Sequence, residues 1–149
     1  MLSELRERDY DRYLALLFAP ARAQGSLAAL YAFHHEISKT AESVSQPMTG
    51  LIRLQWWRDA VTELYVGQVR AHAAVQALAA TVKAHGLPRD ALIAMIDARE
   101  QDLEETPFAN KDALLSYCDA TAGQLMRLCL RVLGAGDAYD GAVHDAARA

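Results

Sequence analysis

This 149-residue chain has little that bends or staples a backbone: 8 glycines, 4 prolines and 2 cysteines. Alanine is the commonest residue and β-branched runs are missing, which argues against a turn-rich β architecture and favours helix. Cys118 and Cys129 fall on one predicted helix, eleven residues apart. That places them about 16 Å apart along the axis, too far to bond to each other, and a reducing cytoplasmic location is expected. There is no basic excess. Lys and Arg total 15 against 19 Asp and Glu, the net charge is −4 and the pI is near 5.7, so no basic stripe exists to neutralise nucleic-acid phosphates. No apolar run reaches the roughly 18–20 residues of a membrane span. The opening MLSELRERDYDRY lacks the apolar stretch of a signal peptide. Peripheral contact with a membrane stays compatible with all of this.

What is present is a 52% hydrophobic chain, enough for one core. Its periodicity predicts an all-α domain of about six helices and the start of a seventh. The first covers about Asp9–Phe18. Pro20 opens a second that runs to about Ser43, and Pro47 seeds a third that ends before Gly67. A fourth spans Ala73–His85 and stops at Gly86. Pro88 starts a fifth carrying LIAMIDAREQDLEE. Asn110 caps a sixth, with Asp112 suiting its N-terminus, and this helix runs to Leu133 before Gly134. The stretch AYDGAVHDAARA begins a seventh.

The candidate chemistry lies on the second helix. Tyr31, His35, Ser38 and Glu42 stand at i, i+4, i+7 and i+11 and share one face beside the apolar set Leu30, Phe33, Ile37, Ala41 and Val44. That polar stripe is expected to face a groove. His34, His35 and Glu36 do not make a zinc helix, because HExxH needs a histidine where Lys39 stands. Adjacent indoles point about 100° apart on a helix, so of Trp56 and Trp57 only one is expected to be a deep anchor. Asp102, surrounded by Asp97, Glu100, Glu104 and Glu105, reads either as a metal neighbour or as a solvated acidic face. Ala122 and Gly123 allow close approach of a helix or an alkyl chain.

The stretches FAPARAQGSLAALYAF, LYAFHHEISKTAE, LIRLQWWRDAVTELYVGQ, IDAREQDLEE and YCDATAGQLMRLCLRVLG together resemble the first half of the squalene/phytoene synthase family. The resemblance covers essentially the whole chain. Within the family, HEI followed by a non-acidic stretch, with PMTGLIRLQWWRDA, is most similar to the branch of the phytoene-synthase-related complex I assembly factor and its bacterial relatives. The resemblance implies an isoprenoid-synthase-like helical fold, N-terminal half only, as a single domain over residues 1–149 that is truncated at its C-terminus.

The family's polar face typically carries Tyr, Arg, Asp and Asp, and the two acids recruit Mg²⁺ to hold a prenyl diphosphate. Tyr31 matches this pattern. His35 stands for the arginine, Ser38 for the first aspartate and Glu42 for the second. By resemblance, Tyr31, His35, Ser38, Glu42, Tyr117, Thr121 and Ala122 are the cavity-lining set, and Glu42 and Asp102 are the remaining metal candidates. In YCDATAG, Tyr117, Cys118, Ala122 and Gly123 match, whereas Thr121, Leu125 and Met126 depart. A lone carboxylate is a poor Mg²⁺ site, and histidine lacks the permanent charge and fork of arginine. No residue is therefore assigned a catalytic role.

Three functions follow from this reading. The favoured one is a non-catalytic, squalene/phytoene synthase-like protein that binds a partner or an isoprenoid lipid, as in respiratory complex I assembly. The second is an active transferase condensing prenyl diphosphates, with a second metal motif beyond residue 149. The third is a helical interaction domain. No cofactor is expected, and Mg²⁺ only under the second function. An uncovered apolar face on the sixth helix and the start of the seventh, with Leu125, Leu128, Val132 and Tyr139, is expected to drive a homodimer or a protein partnership.

Overall fold

The computed structural model describes residues 5–7, 9–44, 46–104, 106–135 and 140–148, and among them it is all-helical, with no strand. Residues 5–7 make a short helical turn ahead of Asp9. Helix α1 (Tyr10–Phe18) is capped by Asp9, whose side chain accepts from the Arg12 N–H at 3.1 Å. Then come α2 (Ala21–Ser38), α3 (Pro47–Tyr65), α4 (Ala73–His85) and α5 (Arg89–Ala98), which tightens into a 3₁₀ turn over Arg99–Leu103. Helix α6 (Lys111–Cys118) passes through one π turn, Asp119–Gly123, into α7 (Gln124–Leu133), and α8 covers Asp140–Arg148.

The expected stop signals act where they were read. Gly67, at φ +85°, ends α3 as its N–H bonds Leu64 O and that of Gln68 bonds Glu63 O. Gly86, at φ +59°, does the same for α4. Asn110 Oδ1 accepts from Ala113 N at 2.8 Å and starts α6.

Two boundaries differ from expectation. The second helix ends at Ser38, not Ser43, and residues 39–43 continue as turns. The hydroxyls of Ser38 and Ser43 donate to the carbonyls of His35 and Thr40, both at 3.1 Å, and such local bonds compete with helix continuation. The sixth helix contains the π turn, where Thr121 Oγ1 donates to Tyr117 O at 2.8 Å.

Helix α2 is the centre of the fold. It packs most extensively on α4, and also on α7 and α1, while α3 lies against α5 and its 3₁₀ extension. Leu27, Leu30, Phe33 and Ile37 of α2 join Leu54 and Trp57 of α3, Leu78 of α4, Leu92, Met95 and Ile96 of α5, and Leu128 of α7 in one core. Trp57 is the deep anchor, set edge-on against Phe33 at 5.6 Å, and Trp56 is only partly buried.

The apolar face expected to stay open on the sixth helix is covered within the chain. Leu125, Leu128 and Val132 are all buried, because α7 packs against α2 and α8. Tyr139 and Glu105 lie outside the described residues. Large apolar side chains left in solvent include Tyr10, Leu14, Leu17 and Phe18 on α1, the last 89% exposed, together with Met48 and Ile52 on α3 and Met126 and Leu133 on α7.

Candidate functional site

Small side chains open the candidate site. Ala28 and Ala32 on α2 face Ala73 and Ala74 at the start of α4, and a cavity of about 230 Å³ lies among them. Tyr31, His35 and Glu36 of α2, His72, and Leu5 and Asp9 complete its wall. Arg12 sits over the Tyr31 ring at 5.7 Å and donates to Asp9 Oδ2 at 2.9 Å. Burial, and then the neighbouring Cys129, push the Tyr31 phenol up to about 12; burial likewise raises the Cys129 thiol to about 12. Lys39 donates to Glu36. His72 stands edge-on to both indoles, 5.5 Å from Trp56 and 5.3 Å from Trp57. Arg70, gripping Glu63 at 2.6 and 2.7 Å and lying over Trp56, holds that segment against α3.

A second cluster adjoins the cavity and shares Arg12 with it. His34 is buried between two guanidiniums. Arg12 Nη1 is 3.3 Å from Nδ1, and Arg99 Nη2 is 3.0 Å from Nε2. Arg99 Nη1 also donates to Asp102 Oδ2 at 3.1 Å and to the Tyr117 hydroxyl at 2.6 Å, while Tyr117 donates to Asp102 Oδ1 at 2.5 Å. Burial, then Arg12, Arg99 and His35, depress the His34 imidazole to about 3. Tyr117 is raised to about 12, by burial first and then by its bond to Asp102.

The structure thus brings Tyr31 and His35 together at the cavity, and Asp102 and Tyr117 together in the arginine cluster. The other four candidate residues join neither group. Ser38 turns its hydroxyl to its own helix, Glu42 is exposed in the turn beyond α2, Thr121 is buried against the Tyr117 carbonyl, and Ala122 is exposed. Sequence reasoning passed over Arg12 and Arg99, and weighed His34 only as a zinc ligand. The one signal for Arg99 was its place in IDAREQDL, three residues before Asp102.

These residues do not fit a Mg²⁺ ion. Ser38 offers a hydroxyl engaged with the backbone, Glu42 stands alone, and both oxygens of Asp102 are already bonded. Among the described residues, no group of three or more His, Cys, Asp or Glu side chains converges closely enough to hold a metal ion.

The fold defines an all-helical isoprenoid-synthase-like domain. One fold match is to a dehydrosqualene synthase crystal structure, with a TM-score of 0.77 at 18% identity, covering 88% of this chain and 45% of that one. Residues 5–149 match the family described as Squalene/phytoene synthase, and the chain belongs to that family. Among its relatives is NADH dehydrogenase (ubiquinone) complex I, assembly factor 6, of Mus musculus, 37% identical over 93% of this chain; the Homo sapiens protein of that name is 34% identical over the same share. A presqualene diphosphate synthase of Sinorhizobium fredii is 30% identical over 82% of the chain. The chain spans about two fifths of the length of these relatives, 41% of both assembly factors and 43% of the synthase. Among the described residues, no helix is long and apolar enough to cross a membrane.

Proposed function

We propose that this chain is a non-catalytic member of the squalene/phytoene synthase family that acts by binding, in the manner of a respiratory complex I assembly factor. The observation that carries the reading is the α2 stripe. Where a metal-dependent member needs two carboxylates four residues apart, this helix presents Ser38, bonded to His35 O, and then ends before Glu42. A prenyl diphosphate has no leaving-group metal to meet there. The similarity to assembly factor 6 supports a protein partner, and the exposed α1 face of Tyr10, Leu14, Leu17 and Phe18 is the surface that suits one.

A second reading, a prenyl-diphosphate transferase, is favoured by one observation, the similarity to presqualene diphosphate synthase. Manganese binding separates the two. Titration followed by electron paramagnetic resonance, with and without farnesyl diphosphate, is expected to leave Mn²⁺ free at micromolar concentrations. Stoichiometric binding that requires the diphosphate would overturn the non-catalytic reading.

A further inference from the structure

The α2–α4 cavity carries a charge pattern that a prenyl-diphosphate site would not. Its wall includes two carboxylates, Asp9 and Glu36, and among its described lining residues there is neither lysine nor arginine. The nearest cations are already matched: Arg12 donates to Asp9, and Lys39 to Glu36. One feature draws electron-rich atoms. The cavity reaches the first residues of α4, Ala73 and Ala74, and α4 has no capping side chain, so its leading N–H groups have no acceptor within the helix. A helix end carries only about half an elementary charge. It can hydrogen-bond a neutral oxygen, but it does not offset the desolvation of a diphosphate set between two carboxylates.

The rest of the wall combines the side chains of Tyr31, His35 and His72 with small aliphatic ones. Leu5, Ala28 and Ala32 leave room where larger side chains would close it. At about 230 Å³ the space falls below the roughly 300–1,000 Å³ of sites that take drug-sized ligands, which suits a short chain with one small polar group.

We propose that this cavity takes an uncharged aliphatic alcohol, with its oxygen at the uncapped start of α4 and its chain along Ala28, Ala32 and Leu5, and that it discriminates against the corresponding diphosphate. The inference deepens the binding reading given above and rests on it. It assigns the ligand by chemistry: a lipid alcohol, not a phosphorylated precursor.

The cavity reports on itself, because His72 in its wall touches both indoles. Tryptophan fluorescence of the full chain, titrated with geraniol and with geranyl diphosphate in the absence of metal, is the test. Geraniol is expected to give a saturable change with a dissociation constant at least tenfold below that of the diphosphate. Ala73→Phe, at an exposed cavity-rim position, is expected to weaken geraniol binding tenfold or more while the helical circular dichroism and melting curve stay as in the parent. Ala32→Leu, which fills the cavity from the opposite helix, is expected to do the same. Phe18→Ser on the exposed α1 face is expected to leave geraniol binding unchanged.

Equal or tighter binding of the diphosphate overturns the proposal, as does no binding of geraniol, or binding lost in Phe18→Ser but kept in both cavity variants. None of these outcomes touches the non-catalytic reading, whose failure would appear separately as turnover of a prenyl diphosphate.

Discussion

Arg99 and His34, 65 positions apart, meet with Nη2 3.0 Å from Nε2 in a buried site that Arg12 closes from the other side. Both guanidiniums are donors and an imidazole can accept only through an unprotonated nitrogen, so the ring is held neutral between them. A second proton would place a third positive charge between two guanidiniums.

That arrangement sets an acid limb. The His34 value falls from its ordinary 6.5 to about 3, so below pH 6.5 the unfolded chain takes up a proton that the folded chain refuses. Stability is therefore full above pH 6.5 and is lost as pH falls from there towards 3, by about 1.4 kcal/mol per pH unit. Between pH 7 and pH 5 the loss from His34 amounts to about 2 kcal/mol. Urea unfolding across this range is the measurement. His34→Gln should flatten the slope relative to the parent; an unchanged slope would place the acid sensitivity elsewhere.

The bonds around Asp102 make a second expectation. Tyr117→Phe removes one hydroxyl that both donates and accepts, at a cost of about 1 kcal/mol. Asp102→Ala leaves Arg99, only 11% exposed, without its carboxylate, and should cost about 3 kcal/mol. Denaturant midpoints of the two single variants and the double variant measure the coupling. If the double loss equals the sum of the single losses, the three side chains do not act as a unit.

Two glycines in helices should answer alanine in opposite directions. A Cβ at Gly25 would meet nothing within 4 Å, so Gly25→Ala should stabilise by up to about 1 kcal/mol through helix propensity. A Cβ at Gly50 would lie 2.4 and 2.8 Å from the two Leu103 methyl carbons. There the propensity gain meets an overpacking cost of about 1–3 kcal/mol, and a net loss is expected. Adding Leu103→Ala should recover the Gly50→Ala loss in part. Thermal melts of these three variants decide it.

Much of the fold was legible because its signals are local. Gly67, Gly86 and Asn110 stop or start helices through backbone conformations and hydrogen bonds within a few residues, and they act where the sequence placed them. What was not legible is in part a local competition that periodicity does not resolve, and in part contact between residues distant in sequence. Nothing in the periodicity marked the hydroxyl bonds that end α2 early or the π turn inside the sixth helix. The α7 face read as open is covered because α2 and α8 pack on it. At the site, Tyr31 and His35 share a cavity as their helical spacing suggests, but Glu42 leaves the stripe when the helix ends. Arg99 enters through a contact spanning 65 residues that no motif encodes.

The relocated apolar face changes where association should occur. With Leu17 and Phe18 in solvent and Leu125, Leu128 and Val132 covered, self-association at micromolar concentration should run through α1. Light scattering is expected to show a dimer or larger species that Leu17→Asp with Phe18→Ser returns to a monomer. A parent that is already monomeric would mean that this face does not pair with a second copy.

The central claim is the loss of metal-dependent condensation, and turnover tests it most directly. Purified chain incubated at length with farnesyl or geranylgeranyl diphosphate and Mg²⁺, and then resolved by product chromatography, should give no squalene, phytoene or cyclopropyl intermediate above a no-protein control. Any of these products above that control, and lost when Mg²⁺ is chelated, would contradict the account.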